Sequence, residues 1–142
     1  MTSCPDNLRC KLEACTYKNT VKYNIDGDYW AFCVKVYDGD TATFAFCLTD
    51  DRDPCKESCR FIGYNSAEIR SKDPVEKDKA ICSRDYLKEL IYQKVVRITI
   101  KGFDKYGRPL VEVYTGDTFV NELMVELGFG KPYDGTGEKT YW

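Results

Sequence analysis

Two segments rich in aromatic and β-branched residues lie close together in the chain, at 29–36 and 41–48. The residues between them, Tyr37-Asp38-Gly39-Asp40, are typical of a tight turn that joins antiparallel strands. We therefore predict a β-hairpin over 29–48. The 11 Tyr and 7 Phe of the chain also favour a strand-rich fold over a helical bundle.

A helix start follows the hairpin at Asp73. Asp73 can cap the helix, Pro74 suits the first helical position, and Glu76 stands where a capping box needs a carboxylate. The predicted helix runs from Pro74 to about Gln93, with an apolar stripe at helical spacing.

The spacing of apolar and polar residues predicts the remaining elements. These are strands at 59–64, 94–101 and 110–114, a turn at 104–108, and an amphipathic helix at 120–127 that ends at Gly128. Five strands with a helix inserted after the third and a C-terminal helix match an OB-fold. We predict a five-stranded β-barrel with helices, of the α+β class; the open face of such barrels often binds nucleic acid.

Length and sequence pattern predict one domain, because 142 residues is about the size of one. Residues 1–23 are predicted to be a polar N-terminal extension and 24–142 the barrel domain. The longest uncharged apolar runs fall far short of the ~20 residues of a membrane-spanning helix. Met1–Cys10 lacks the apolar part of a signal peptide. We expect an intracellular monomer with no membrane association.

The cysteines leave two interpretations open. They stand at positions 4, 10, 15, 33, 47, 55, 59 and 82. Without a visible signal peptide, and with enough apolar residues to fold unaided, reduced thiols are preferred. A zinc site built from Cys4, Cys10, Cys15 and the Cys55/Cys59 pair is the alternative, although none of these has CxxC spacing.

The chain contains no histidine. Mechanisms that need an imidazole base, a Ser–His or Cys–His pair, or a His-ligated zinc are therefore excluded. The net charge of −2 argues against non-specific coating of nucleic acid. Residues 60–108 carry 12 basic and 7 acidic side chains, a net +5, and form the segment best suited to face phosphates.

Four short motifs occur in order along the chain. They are Val36-Tyr37-Asp38-Gly39-Asp40-Thr41, Arg60-Phe61-Ile62-Gly63-Tyr64-Asn65-Ser66-Ala67-Glu68, Asp104-Lys105-Tyr106-Gly107-Arg108, and Val120-Asn121-Glu122-Leu123 before Gly128. From Val36 to about Tyr133 the chain thereby resembles the staphylococcal nuclease (thermonuclease-like) family. The absent signal peptide and the short loop at 69–73 look more like its intracellular or large-virus members than its secreted bacterial ones.

The resemblance implies a calcium site. Asp40 matches a calcium ligand of the family, and calcium prefers carboxylate, carbonyl and water oxygens. Asn65 stands where the family usually has a second aspartate ligand, Ser66 follows it, and Asp38 is expected as a further carboxylate near the metal. Because an amide oxygen brings no charge, we expect weaker calcium binding than an aspartate would give.

The resemblance also implies which residues handle the substrate. Arg60 and Arg108 are expected to contact phosphate, since guanidinium groups match phosphate oxygens bidentately. Glu68 matches the family's general base, the role that a chain without histidine leaves to a carboxylate. Further substrate contacts are expected from Lys105 and Tyr106, and Tyr133 is expected to stack on a base.

Together these implications predict a calcium-dependent endonuclease of DNA or RNA that prefers single strands and leaves 3′-phosphates. A phosphate clamp reads no base edge and need not contact the 2′-hydroxyl. One alternative is a weak or inactive OB-fold module that binds nucleic acid or protein, which Asn65 favours. A zinc-stabilised structural protein is the third class.

Overall fold

The barrel begins with three consecutive antiparallel strands. A computed structural model describes residues 3–134. In it β1 (Gly27–Asp38), β2 (Thr41–Phe46) and β3 (Cys55–Phe61) follow one another, with Cys33 opposite Phe44 and Thr41 opposite Arg60. The turn between β1 and β2 lies at the same end of the barrel as the C-terminal end of β3.

The chain then leaves the barrel and returns to close it. It forms β4 (Tyr64–Asn65) and helix α2 (Pro74–Ile91), and re-enters the sheet as β5 (Val95–Phe103) and β6 (Pro109–Thr115). β5 pairs antiparallel with β1, and β6 pairs in parallel with β3, so the five long strands form a closed barrel. The predicted OB-fold with a helix after the third long strand is confirmed.

Shorter elements complete the described chain. The helix α1 (Asp6–Glu13) precedes the barrel, and β7 (Thr118–Phe119), α3 (Val120–Glu126) and β8 (Lys131–Pro132) follow it. β8 pairs with β4, placing Lys131 opposite Asn65. The predicted C-terminal helix is therefore present, and the chain after it returns to the β4 region. No helix between residues 3 and 134 is long and apolar enough to cross a membrane.

The core fills the barrel and the groove under α2. Alternate residues of β5, namely Val96, Ile98 and Ile100, are buried, as the sequence pattern predicts. Ala80, Ser83, Leu87 and Ile91 form the buried face of α2, which packs against β1. The other large buried apolar residues include Phe44, Phe46, Phe61, Val111, Val113, Val120 and Met124.

Two aromatic residues of β1 are not in the core. The aromatic residues of the two predicted hairpin strands are expected to fill the barrel core. Phe44 and Phe46 are buried there, but Trp30 is 66% exposed and Phe32 40% exposed. Their neighbours Ala31 and Cys33 are buried, because side chains alternate between the two faces of a strand. Arg97, opposite Trp30 on β5, covers the indole ring with its guanidinium carbon 4.9 Å from the ring centroid.

Three local expectations need correction. The third strand starts at Cys55, before the predicted residue 59, because residues 55–58 pair with β2 although none of them is buried. The Glu76 carboxylate does not close a capping box; it accepts a 2.7 Å hydrogen bond from Ser71 Oγ. Helix α1 lies in the polar N-terminal extension, for which the sequence pattern predicts no helix, and none of its residues is buried.

Candidate active site

The β1–β2 turn presents two buried carboxylates, Asp38 and Asp40. Asp38 Oδ1 accepts a 3.0 Å hydrogen bond from the Asp40 backbone N–H, which fixes the turn. Asp40 Oδ2 accepts a 2.9 Å hydrogen bond from the backbone N–H of Ser66, which follows β4. Gly39 allows this packing, because a Cβ there would lie 1.8 Å from Ser83 Oγ. The turn is thus pressed against both α2 and the β4 segment.

Arg60 connects this turn to β4. Its guanidinium forms an ion pair with the Asp40 carboxylate and a hydrogen bond to Asn65 Oδ1. It also donates a 3.2 Å hydrogen bond to the backbone carbonyl of Tyr64. The side chains of Arg60 and Asp40 are only 13% and 10% exposed, so little solvent screens the pair. The structure therefore brings Asp40, Arg60 and Asn65 together.

The two aspartates have opposite electrostatics. Burial, followed by repulsion from Asp40, raises the pKa of Asp38 to about 8. Burial also opposes ionisation of Asp40, but the positive charge of Arg60 and several hydrogen bonds hold the pKa of Asp40 below its usual range. At neutral pH Asp40 carries the negative charge of the pair and Asp38 keeps its proton.

Arg60 also lines a cleft of about 610 Å³. Five residues predicted to handle substrate line it: Arg60, Lys105, Tyr106, Arg108 and Tyr133. The rest of its wall includes Ile62 and Gly63 from the turn between β3 and β4, Tyr64 from β4, and Lys101 and Phe103 from β5. The cleft thus combines cations and aromatic rings, and Arg60 joins it to the buried carboxylates.

Asp104 orients Arg108 within the β5–β6 turn. Its Oδ2 accepts a 2.7 Å hydrogen bond from Arg108 Nε, and its Oδ1 accepts hydrogen bonds from the backbone N–H groups of Tyr106 and Arg108. Partial burial opposes ionisation of Asp104, but the hydrogen bonds from Arg108 and Tyr106 hold its pKa below the ordinary value. Gly107 has a φ of 82°, which lets the turn close.

Glu68 occupies a different environment from the other predicted residues. It is exposed in the loop between β4 and α2, and it is not among the described residues that line the cleft. Its backbone N–H lies 3.5 Å from Glu76 Oε1, and its carbonyl accepts a 3.1 Å hydrogen bond from the Ser71 N–H. The loop that carries Glu68 is therefore tied to the first turn of α2.

Comparison with known proteins identifies the family. A family model described as staphylococcal nuclease homologue matches residues 59–141, more than half of the chain. The chain belongs to the staphylococcal nuclease family. It is also 38% identical over 102 residues to an uncharacterized endonuclease of Haemophilus influenzae, an alignment that covers 70% of this chain. The chain spans about 50% of that relative's length.

Sequence reasoning missed three residues that support the candidate site. Tyr64 donates a buried 2.6 Å hydrogen bond to the Gly39 carbonyl, Asp104 holds Arg108, and Glu76 holds the Glu68 loop. Asp104 begins one of the four sequence motifs, so the sequence could have indicated its role. The contacts of Tyr64 and Glu76 span 25 and 8 residues, and local pattern alone gives no indication of them.

The donor chemistry around the β1–β2 turn fits a hard cation of the kind used by the staphylococcal nuclease family. Asp38, Asp40 and Asn65 supply side-chain oxygens, and the buried Ser66 Oγ has no hydrogen-bond partner among the described residues. Among residues 3–134, no three His, Cys, Asp or Glu side chains are grouped to bind a metal. The side chains around the turn thus offer oxygen ligands but few negative charges.

The eight cysteines are all free thiols.

Proposed function

We propose that the protein is a calcium-dependent nuclease that hydrolyses phosphodiester bonds of single-stranded DNA or RNA. The observation that carries the proposal is the position of Arg60. Its guanidinium contacts Asp40 and Asn65 on one side, and its side chain lines the cleft that also contains Arg108, Lys105 and Tyr106. A phosphate in the cleft thus lies between two guanidinium groups and beside the oxygen-rich turn.

The proposed roles follow from the chemistry of each side chain. Arg60 and Arg108 bind the oxygens of the reacting phosphate and stabilise the charge that builds on them. Glu68 accepts a proton from the attacking water, whose oxygen bonds to phosphorus while the bond to the 5′ oxygen breaks, and the leaving 5′ oxygen takes up a proton from solvent. The exposed loop position of Glu68 gives it access to water. The product is a 3′-phosphate and a free 5′-hydroxyl.

Asp40, Asn65 and Ser66, with Asp38 next to them, are the residues that would hold calcium. Bound calcium supplies a positive charge that offsets the charge of the phosphate. Without calcium, Asp40 is the carboxylate of the pair that is held ionised, and Asn65 brings no charge to the site. We therefore propose that calcium binds more weakly than it would with an aspartate at position 65.

Lys105, Tyr106 and Tyr133 are proposed to hold the strand on either side of the reacting phosphate. Tyr106 is 73% exposed, and Lys105 Nζ lies 5.2 Å from its ring centroid. An exposed ring stacks on any base, and a cation binds any phosphate. These contacts favour single strands without base specificity, because the bases of a duplex are already stacked on each other.

A second candidate function is a nucleic-acid-binding module without turnover. The observation that favours it is that Arg60 already satisfies both Asp40 and Asn65. An amide at position 65 adds no charge to attract a cation away from this arrangement. In that case the cleft binds polynucleotide through its cations and rings, and calcium has no effect on the bound strand.

The two functions are separated by a cleavage assay with labelled single-stranded DNA and RNA in millimolar calcium, with and without chelator. The wild type is compared with Asn65→Asp and with Glu68→Gln, which keeps the shape of the side chain. Glu89→Gln, an exposed carboxylate near the other end of α2, is the matched control. Calcium-dependent cleavage that Glu68→Gln lowers by on the order of a hundredfold, and Glu89→Gln leaves unchanged, supports the nuclease.

Two results contradict it. Cleavage that survives both the chelator and Glu68→Gln assigns the activity to other residues or to a contaminant. Cleavage by Asn65→Asp but not by the wild type supports the binding module, because the barrel is then intact and only the metal charge is missing.

A further inference from the structure

The segment before β1 packs against the wall of the cleft. The ring of Tyr23 meets that of Phe103 edge-on, with the centroids 5.4 Å apart and an interplanar angle of 65°. Lys22 Nζ lies 5.6 Å from the centroid of the same Phe103 ring. Phe103 itself lines the cleft that contains Arg60 and Arg108. Lys22 and Tyr23 thus place a cation and an aromatic ring beside the proposed substrate path.

Backbone contacts anchor this segment to the barrel. Asp26 Oδ1 accepts a 2.8 Å hydrogen bond from the Gly102 N–H on β5. The Ile25 carbonyl accepts a 2.6 Å hydrogen bond from the Tyr29 hydroxyl, and the Ile25 side chain packs against the core. Lys22 and Tyr23 therefore extend from a fixed point next to Phe103.

The chemistry of this position suits a single-stranded polynucleotide. Tyr23 is 63% exposed although it contacts Phe103, so much of its ring is available for stacking. Lys101, at this end of the cleft, is already paired with Glu112 at 2.5 Å. Glu112 offsets the charge of Lys101, so Lys22 adds a further positive charge at this end of the cleft. Cations beside exposed rings are the usual combination in channels that bind single strands.

We propose that Lys22 and Tyr23, resting on Phe103, form an additional subsite for single-stranded polynucleotide that lengthens the cleft. Tyr23 stacks on a base, and Lys22 contacts a neighbouring phosphate. The subsite deepens the proposed function, since it extends the same cleft, and it gives the N-terminal segment a role in binding. Only a strand long enough to pass from Arg108 to Tyr23 should bind more tightly because of this subsite.

The test is a binding measurement with strands of two lengths. Fluorescence anisotropy follows labelled oligothymidylate and oligouridylate, on the order of four and about twelve nucleotides long, in calcium. The parent is the full chain with Glu68→Gln, which limits cleavage during the measurement. Tyr23→Ala, Tyr23→Phe and Lys22→Gln are compared with two controls from the same segment, Tyr17→Ala and Lys18→Gln. Tyr17 is fully exposed.

The subsite predicts a loss that depends on strand length. Tyr23→Ala should weaken binding of the long strand about tenfold and leave the short strand unchanged, while Tyr23→Phe, which keeps the ring, binds like the parent. Lys22→Gln should reduce the slope of log K against log salt by about 0.7 for the long strand. Both controls should match the parent. The two polymers report whether the subsite takes DNA, RNA or both.

The proposal is overturned if Tyr23→Ala binds the long strand like the parent, if it weakens both lengths equally, or if the parent binds neither length. Cleavage by the wild type is measured separately, so the two proposals fail separately. Tyr23-dependent binding without cleavage contradicts the nuclease and keeps the subsite. Cleavage with binding that ignores Tyr23 keeps the nuclease and removes the subsite.

Discussion

The hydroxyl of Tyr64 donates a 2.6 Å hydrogen bond to the backbone carbonyl of Gly39. Both groups are buried, and the bond joins β4 to the turn that carries Asp38 and Asp40. The Tyr64 ring is itself fixed by Gly130, where a Cβ would lie 2.3 Å from a ring atom. The turn of the candidate metal site is therefore positioned by a buried side chain of β4 that is not one of the predicted metal ligands.

Tyr64→Phe is expected to destabilise the protein by about 1–3 kcal/mol, because the Gly39 carbonyl loses its buried donor. Urea unfolding measures the change, and Tyr17→Phe, which removes a hydroxyl from a fully exposed residue, is the control. Calcium binding should weaken as well, since the turn is less fixed. A stability equal to that of the wild type would show that another donor or a water replaces the hydroxyl.

Asp104→Asn is expected to lower activity with little effect on stability. The amide oxygen can still accept from the Tyr106 and Arg108 backbone N–H groups, so the turn is kept. The amide nitrogen, however, faces Arg108 Nε, and two donors cannot bond. A displaced Arg108 should reduce kcat by about tenfold or more.

Steady-state cleavage rates and a thermal melt check this outcome together. Asp117→Asn, an exposed aspartate in the turn before β7, is the control for the loss of charge. Equal activity of Asp104→Asn and the wild type would mean that Arg108 does not depend on Asp104 for its position.

The barrel could be predicted from the sequence because its strands follow local patterns. Val96, Ile98 and Ile100 alternate with outward residues, and Asp73 accepts a hydrogen bond from the Val75 N–H as an N-cap should. Trp30 and Phe32 show the limit of this reasoning. Aromatic residues favour strands on either face, so their presence does not tell which face of the strand is buried.

The candidate site was predicted through motifs, and its internal contacts were not. The motifs predict Arg60, Asp40 and Asn65 as site residues. The direct contact of Arg60 with the Asp40 carboxylate and with Asn65 Oδ1, however, depends on how β3 meets the β1–β2 turn. The bonds from Tyr64 to Gly39 and from Ser83 Oγ to the Phe129 carbonyl join elements far apart in the chain. Such contacts follow from tertiary packing, which periodicity does not encode.

Asn65→Asp is expected to tighten calcium binding by about tenfold, because it adds a further ionised carboxylate to the metal site. Isothermal titration calorimetry measures the affinity, and the calcium-dependent rise in melting temperature provides a second measure. Asn24→Asp adds the same charge at an exposed position before β1 and should leave the affinity unchanged. An unchanged affinity of Asn65→Asp would remove position 65 from the metal site.

The raised pKa of Asp38 predicts how the stability of the calcium-free protein depends on pH. The folded protein keeps the Asp38 proton up to about pH 8, whereas the unfolded chain loses it near 4. The folded state therefore binds more protons between these values, and its stability falls as the pH rises through them. Asp40, whose pKa is lowered, is ionised in both states over most of this range and adds little to the slope.

Asp38→Asn should remove this pH dependence, because the amide does not ionise. In chelator, we expect the variant to be more stable than the wild type at about pH 8, by at least about 1 kcal/mol, and the difference to shrink towards about pH 5. Urea unfolding at several pH values measures it, with Asp117→Asn as the exposed control. Calcium should reverse the order at pH 8, since it favours the ionised carboxylate that only the wild type has. Wild-type stability that rises with pH in chelator would mean that Asp38 is ionised without the metal.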